Sequence, residues 1–107
     1  MRWAYTSHIA SKPDLHYFLA DIDHELTELQ KQYLHVSDIV IPTKTEGHFH
    51  ILNFQEEISF ERYLERLRIC NADPNFRLGV LCRGYGRLWV HGKLDIHQRL
   101  VENDAII

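Results

Sequence analysis

The stretch Gly47-His48-Phe49-His50-Ile51-Leu52-Asn53-Phe54-Gln55 predicts the central strand of the fold. It is rich in aromatic and aliphatic residues, which suit a pleated surface, and turn-forming residues precede it. Successive side chains of a strand point to opposite faces, so His48 and His50 share one face with Leu52 and Phe54. Two imidazoles therefore lie side by side on this predicted strand.

The N-terminal side of this strand predicts a strand, a long helix and a short strand. Residues 2–9 resemble a strand, and Ser11-Lys12-Pro13-Asp14 then supplies a signal for the start of a helix. Residues 38–43 predict a short strand that Pro42 closes. The helix reaches roughly residue 35, because apolar residues recur at steps of three and four along it: Leu15, Phe18, Leu19, Ile22, Leu26, Leu29 and Tyr33.

The C-terminal side predicts a second helix and a hairpin. Ser59 is a suitable N-cap for a helix that ends near Asn71. Apolar and polar residues then alternate over 76–82, Gly84-Tyr85-Gly86 provides a turn, and residues 87–91 form the second hairpin strand. The tail after Gly92 has no decisive period, so a short helix and a docked extension both stay open.

This predicted order of elements matches a ferredoxin-like fold of the α+β class. It runs β-α-β-β-α-β, with an extra C-terminal hairpin strand, and such a fold places two helices on one face of an antiparallel sheet. A chain of 107 residues with 45% hydrophobic content fits a single domain over residues 1–107. This architecture hosts many unrelated activities, so function must come from particular residues.

The composition excludes several classes of protein. Apolar stretches are too short for a bilayer span, and the residues after Met1 lack the apolar core of a signal peptide. Cys70 and Cys82 are the only cysteines, which argues against a disulfide scaffold or a cysteine-based zinc site. We expect a soluble cytoplasmic protein with no membrane partner.

The histidine pair indicates a metal site. Imidazole is a good ligand for divalent transition metals, and His48 and His50 can reach one ion if a third ligand converges on them. Glu46, two residues before His48, is the preferred third ligand, and the ion is Mn, Mg or Zn. Other candidates for that ligand are Glu56, Asp38, His91 and His8. The alternative is a pair of polar side chains on a half-exposed strand, in a chain that contains eight histidines.

A basic region in the second half of the chain indicates binding of single-stranded nucleic acid. Residues 62–93 contain seven basic and two acidic residues, an excess of +5. Single-strand binding combines cationic groups with exposed aromatic rings, and the side chains predicted to provide them are Arg62, Arg66, Arg83, Tyr85 and Arg87. The alternative is a solvated basic face that balances the acidic first half.

Short motifs resemble those of the HUH-type endonucleases, the rolling-circle replication initiators and related single-strand transposases. A His-apolar-His triplet is similar to their metal-binding motif, and Tyr63-Leu64-Glu65-Arg66 is similar to their helical nucleophile motif. The resemblance implies that the metal polarises a phosphodiester and that the Tyr63 hydroxyl attacks it, leaving a 5′-phosphotyrosine. Tyr63 also fits the apolar stripe of its own helix, and Tyr17 is a second candidate nucleophile.

Two functional hypotheses follow. The first is a divalent-metal-dependent protein that binds nucleic acid or nicks DNA, with the metal at His48 and His50. The second is a ferredoxin-like module without catalysis, which binds a partner protein or associates with itself. The incomplete catalytic set and the acidic net charge of −3 favour the second.

Overall fold

The structure, a computed structural model, describes residues 3–43 and 45–90. The described part is an α+β fold, which confirms the predicted class. In chain order its elements are β1 (Trp3–Thr6), β2 (Leu15–Ile22), α1 (Glu28–Gln32), β3 (Ile39–Pro42), β4 (Phe49–Ser59), α2 (Phe60–Ile69), α3 (Pro74–Arg83) and β5 (Arg87–Val90).

The strands form two antiparallel sheets. In the larger sheet the order is β2-β4-β3, so β4 is central, and the smaller sheet pairs β1 with β5. The two sheets meet where the chain continues beyond β1, because Tyr17 N donates to Ser7 O at 2.9 Å and His8 forms an isolated bridge with His16. We call the β1–β5 pair the ribbon.

The larger sheet is buried on both faces. One face packs on α2, with Phe18 and Ile51 against Tyr63. The other face, which carries Leu19 and Leu52 beside Ile41, packs against Tyr5 of β1 and Leu88 of β5. The ribbon therefore covers part of the face opposite α2.

The predicted long helix is wrong, because residues 15–22 form β2. Phe18, Leu19, Ala20 and Ile22 are all buried, since both faces of this strand meet a core. A strand that is buried on both faces loses its simple alternation, and the remaining pattern contains steps of three and four that also fit a helix. Only Glu28–Gln32 is helical in this region, and Thr27 and Gln30 cap it reciprocally.

The first strand of the predicted hairpin is also wrong, because it lies within α3. Asp73 is the N-cap, its carboxylate accepting from the backbone amides of Asn75 and Phe76, and Pro74 occupies the first turn. Phe76 and Val80 are four residues apart and both pack inward. Every fourth residue of an alternating pattern is also apolar, so the same residues can share one face of a helix. As a result β5 pairs with β1.

Other predicted elements are confirmed. β3 and β4 form as expected, although β4 extends to Ser59, and Ser59 caps α2 by accepting from Arg62 N at 3.1 Å. The observed order, β-β-α-β-β-α-α-β, differs from the ferredoxin-like order. The tail after Gly92 lies outside the described residues. Within the described ranges, no helix has the length and apolar character needed to cross a bilayer.

Candidate functional site

The predicted histidine pair lies beside a carboxylate of β2. In the sheet register His50 is directly opposite Asp21, and its Nε2 is 3.8 Å from the Asp21 Oδ1. His48 immediately precedes β4, and its carbonyl oxygen accepts from Thr43 N at 3.0 Å. Because Leu19 and Leu52 are opposite each other two residues along these strands, Asp21 and His50 lie on the ribbon-covered face. We call Asp21, His48 and His50 the His–Asp cluster.

The Asp21 carboxyl is in an environment that disfavours its charge. Its pKa is raised, first by burial and then by the nearby Asp73 carboxylate, while the positive charge of His48 acts in the opposite direction. Asp73 is close because its backbone N donates to Asp21 O at 2.8 Å, which fixes the start of α3 at the end of β2. A cation at this point would relieve the repulsion between the two carboxylates.

The cluster is an incomplete metal site by itself. Among residues 3–43 and 45–90, no group of three or more His, Cys, Asp or Glu side chains is arranged to hold a metal ion. Asp21 and His50 thus supply two potential ligands. Their side chains are partly open to solvent, with exposures of 36% and 13%. An ion such as Mg²⁺ commonly takes one or two carboxylates from protein and completes its shell with water and substrate phosphate.

The other proposed ligands are dispersed. Glu46 is exposed in the turn before β4, and its role as a ligand stays a prediction. Asp38 and Glu56 both contact Arg66, and the ring of His8 lies near that of Tyr85. His91 lies outside the described residues.

Tyr63, the predicted nucleophile, lies in the core. Its side chain is fully buried, and its hydroxyl donates to Leu19 O at 2.6 Å. Burial raises the pKa of this hydroxyl far above its ordinary value. A protonated, buried phenol is a poor nucleophile, so this environment does not favour the catalytic role, which stays a prediction.

Gly84 and Gly86, on either side of Tyr85, are required by the backbone conformation and by close packing. Gly84 ends α3 in the left-handed region with a φ of 81°. A Cβ on Gly86 would collide with the Tyr63 hydroxyl, so the chain passes this ring only without a side chain. Tyr85 is thereby held at the surface between two positions that favour glycine.

Two of the predicted nucleic-acid contacts are neutralised within the fold. Arg66 is 6% exposed, forms an ion pair with Asp38, and has its Nη1 3.7 Å from Glu56 Oε1. Arg62 is exposed on α2 and pairs with Glu65 at 2.8 Å. Binding of nucleic acid by these two arginines stays a prediction, and their observed partners are carboxylates.

Arg83 and Arg87 are in a different setting from those two. The Arg83 guanidinium lies 5.5 Å from the Tyr85 ring centroid, and that of Arg87 lies 5.1 Å from the Trp89 ring centroid. Within the part of the chain that the structure describes, neither arginine forms an ion pair.

The sequence did not identify Asp21 or Asp73 as members of this site. In the long helix that the sequence predicts, nothing relates Asp21 to His50. Its position opposite His50 depends on the pairing of β2 with β4, which joins residues about thirty positions apart in the chain. If residues 15–22 are assigned to a strand that pairs with β4, Asp21 lies near the histidines.

Comparison with known proteins gives no relative from which to infer the function. No family model, no curated protein and no solved structure matches this chain.

Proposed function

We propose that the chain binds a divalent cation at the His–Asp cluster and uses it to hold a nucleic-acid phosphate. The observation that carries this proposal is the Asp21 carboxylate, half-buried and directly opposite His50. Carboxylate and imidazole are both ligands for Mn²⁺ and Zn²⁺, and Mg²⁺ is held through carboxylates and phosphates. The two protein donors leave room in the ligand shell for phosphate oxygens.

The chain's own residues bind and orient in this proposal. Asp21 supplies negative charge that its surroundings destabilise, and His50 and His48 supply imidazole nitrogens as ligands. A bound divalent ion would polarise a phosphodiester placed on it. DNA nicking of the replication-initiator type requires a nucleophile as well, and the buried Tyr63 gives no direct support for that further step.

The cation site is tested by histidine NMR during a titration with Mn²⁺. We expect the imidazole signals of His48 and His50 to broaden at lower Mn²⁺ concentration than those of His24 and His35, which lie elsewhere on the surface. The Asp21→Asn variant should require a concentration about tenfold higher. Equal broadening of all four histidines would remove the site. If the phosphate part is correct, a single-stranded oligonucleotide should lower the Mn²⁺ concentration that is needed.

The groove between α2 and α3 favours a second candidate function, self-association. The groove has a volume of about 490 Å³ and is lined by Leu64, Leu78 and Leu81. Leu78 and Leu81, one turn apart on α3, are 58% and 60% exposed and so present apolar surface to solvent. Glu65 lines the groove together with Arg68 and Arg77, so both signs of charge are present for pairing with a second copy.

Sedimentation velocity over a range of concentrations tests this alternative. We expect a concentration-dependent dimer that the Leu78→Gln variant shifts to monomer. Val36→Gln is the matched control, since Val36 is 97% exposed and does not line the groove. A wild-type chain that stays monomeric at the highest concentration would refute self-association.

A further inference from the structure

The outer side of the ribbon presents alternate residues from both of its strands. The register pairs Thr6 with Arg87 and Ala4 with Trp89. The intervening residues Tyr5 and Leu88 are buried against the larger sheet, so Arg87 and Trp89 lie on the opposite, outward side. Trp89 is 37% exposed.

The same side continues past the ends of the two strands. Ser7 N donates to Gly86 O at 2.9 Å, which extends the antiparallel pairing and brings His8 next to Tyr85. The rings of His8 and Tyr85 are in contact, with centroids 4.3 Å apart. We call this surface the outer ribbon face and define it by His8, Arg83, Tyr85, Arg87 and Trp89.

The chemistry of the outer ribbon face repeats along the chain. In Arg83-Gly84-Tyr85 and Arg87-Leu88-Trp89 an arginine precedes an aromatic residue by two positions, and each guanidinium lies over its own ring. About 13 Å of extended chain separates Tyr85 from Trp89, at about 3.3 Å per residue. The Nε of Arg83 is buried and has no hydrogen-bond partner among the described residues.

We propose that the outer ribbon face binds single-stranded nucleic acid, with bases stacked on Tyr85 and Trp89 and phosphates bound by Arg83 and Arg87. The proposal takes its class of partner from the proposed function but does not depend on the cation site. Partly exposed rings beside arginines that form no ion pair with the described residues suit unpaired bases, because every base has a flat face and every nucleotide has a charge. A duplex keeps those faces stacked inside, and an acidic peptide does not need the rings.

The test measures fluorescence anisotropy of labelled dT and rU twelve-residue oligomers in EDTA at low salt. We expect saturable binding that Trp89→Ala and Tyr85→Leu each weaken about tenfold, the loss of one stacked base. Arg87→Ala should reduce the slope of log affinity against log salt by about 0.7, the value for one phosphate contact on a single strand. Trp89→Phe, which keeps a ring, should retain most of the affinity.

Lys31→Ala is the matched control, because Lys31 is exposed and basic but lies on α1 in an ion pair with Glu28. It should bind the oligomers as the wild type does, and circular dichroism checks that each variant is folded. Three results would each overturn the proposal: no saturable binding, equal binding by the wild type and the ring variants, or equal affinity for a duplex or for polyglutamate.

The EDTA condition separates this proposal from the cation site. If the wild-type chain does not bind the oligomers in EDTA but Mn²⁺ selectively broadens His48 and His50, the proposal for the outer ribbon face is rejected and the proposed cation site is supported. Oligomer binding in EDTA without any selective broadening would reject the cation site and support the outer ribbon face. The Asp21→Asn variant should retain its oligomer affinity in EDTA.

Discussion

At the scale of single residues, Asp21 is the position where the proposed cation binding and the stability of the fold oppose each other. Its carboxyl is half-buried, lies near Asp73, and has a pKa that is raised first by that burial. An acidic group of this kind destabilises the fold when it is ionised without a counterion. Side chains in ligand sites are often retained at such a cost to stability.

We predict that Asp21→Asn raises the melting temperature at pH 7 in EDTA while weakening Mn²⁺ binding. The folded-state pKa of Asp21 is raised, so the favourable contribution of its protonated form is present below the unfolded pKa and is lost as pH rises through the folded pKa. The stability gain of the variant should therefore be larger at pH 7 than at pH 3.5. Thermal unfolding at both pH values measures it, and a variant less stable than wild type at pH 7 would contradict the prediction.

His24 is a second residue whose environment sets its protonation. Its Nδ1 lies 2.8 Å from Glu25 O and its Nε2 lies 2.9 Å from Asn71 O. Both partners are carbonyl oxygens that only accept, so both ring nitrogens donate only when the imidazole is protonated. The hydrogen bond to Glu25 is the main cause of the raised pKa of His24.

We predict that His24→Ala costs more stability at pH 5.5 than at pH 8.5. The raised pKa makes the contribution of His24 fully present below its unfolded pKa and lost as pH rises through the folded value. The difference between the two pH values should be about 1 kcal/mol, the usual size of a hydrogen bond. Urea unfolding at both pH values measures it. A pH-independent cost would show that the neutral ring serves equally well.

At the scale of elements, the chain that leads into β5 passes close to α2. This close approach requires a particular residue on each side, Gly86 before β5 and Tyr63 on α2. Gly86 passes the Tyr63 hydroxyl at a distance that leaves no room for a Cβ, and its own N donates to Ser7 Oγ at 2.8 Å. The hydroxyl cannot move aside without losing its hydrogen bond to Leu19 O. The ribbon, β2 and α2 are thus joined at this point.

We predict that Gly86→Ala destabilises the fold by about 1–3 kcal/mol, the cost of overpacking a core. Tyr63→Phe should cost about 1 kcal/mol for its lost hydrogen bond, and it should remove the closest of the ring's contacts with the new methyl group. The double variant should then be more stable than the sum of the two single effects implies. Urea unfolding of all four proteins measures the coupling, and simple additivity would refute the contact.

For individual elements, the sequence predicts the features that depend on residues close together in the chain, such as where a helix starts and which face of a strand a residue occupies. Ser59 specifies the start of α2, and the two-residue strand period places His50 on the face shared with Leu52. β2 and α3 were not predictable in this way, because the pattern of β2 reflects two cores and α3 leaves Leu78 exposed. The partnership of Asp21 with His50 depends on strand pairing, a long-range property that local pattern does not contain.

At the scale of the whole molecule, the larger sheet is the more extensively paired of the two sheets. β4 is hydrogen-bonded on both sides, by β2 and β3, and its residues Ile51, Leu52 and Asn53 are fully buried. The ribbon is paired over four residues and meets the larger sheet through Ser7 and the bridge of His8 with His16. The proposed binding side chains of the outer ribbon face thus lie on the less extensively paired sheet.

We predict that the backbone amides of residues 51–53 exchange with solvent more slowly than those of the ribbon. Opening of β4 disrupts both cores, whereas the ribbon can separate with loss of one core and a few hydrogen bonds. Hydrogen exchange followed by NMR should give protection factors at least tenfold higher in β4. Equal protection in both sheets would indicate that the two open together.

The register between β2 and β4 constrains how this protein can change by mutation. Leu19 faces Leu52, and two residues further along Asp21 faces His50 on the same side of the sheet. An insertion or deletion of one residue between Leu19 and Asp21 would turn the carboxylate toward α2 and bury its charge in the apolar core. A chain with such a change in length would misfold, and selection would remove it. A descendant that retains this fold can therefore lose the carboxylate by substitution, while the number of residues between Leu19 and Asp21 stays the same.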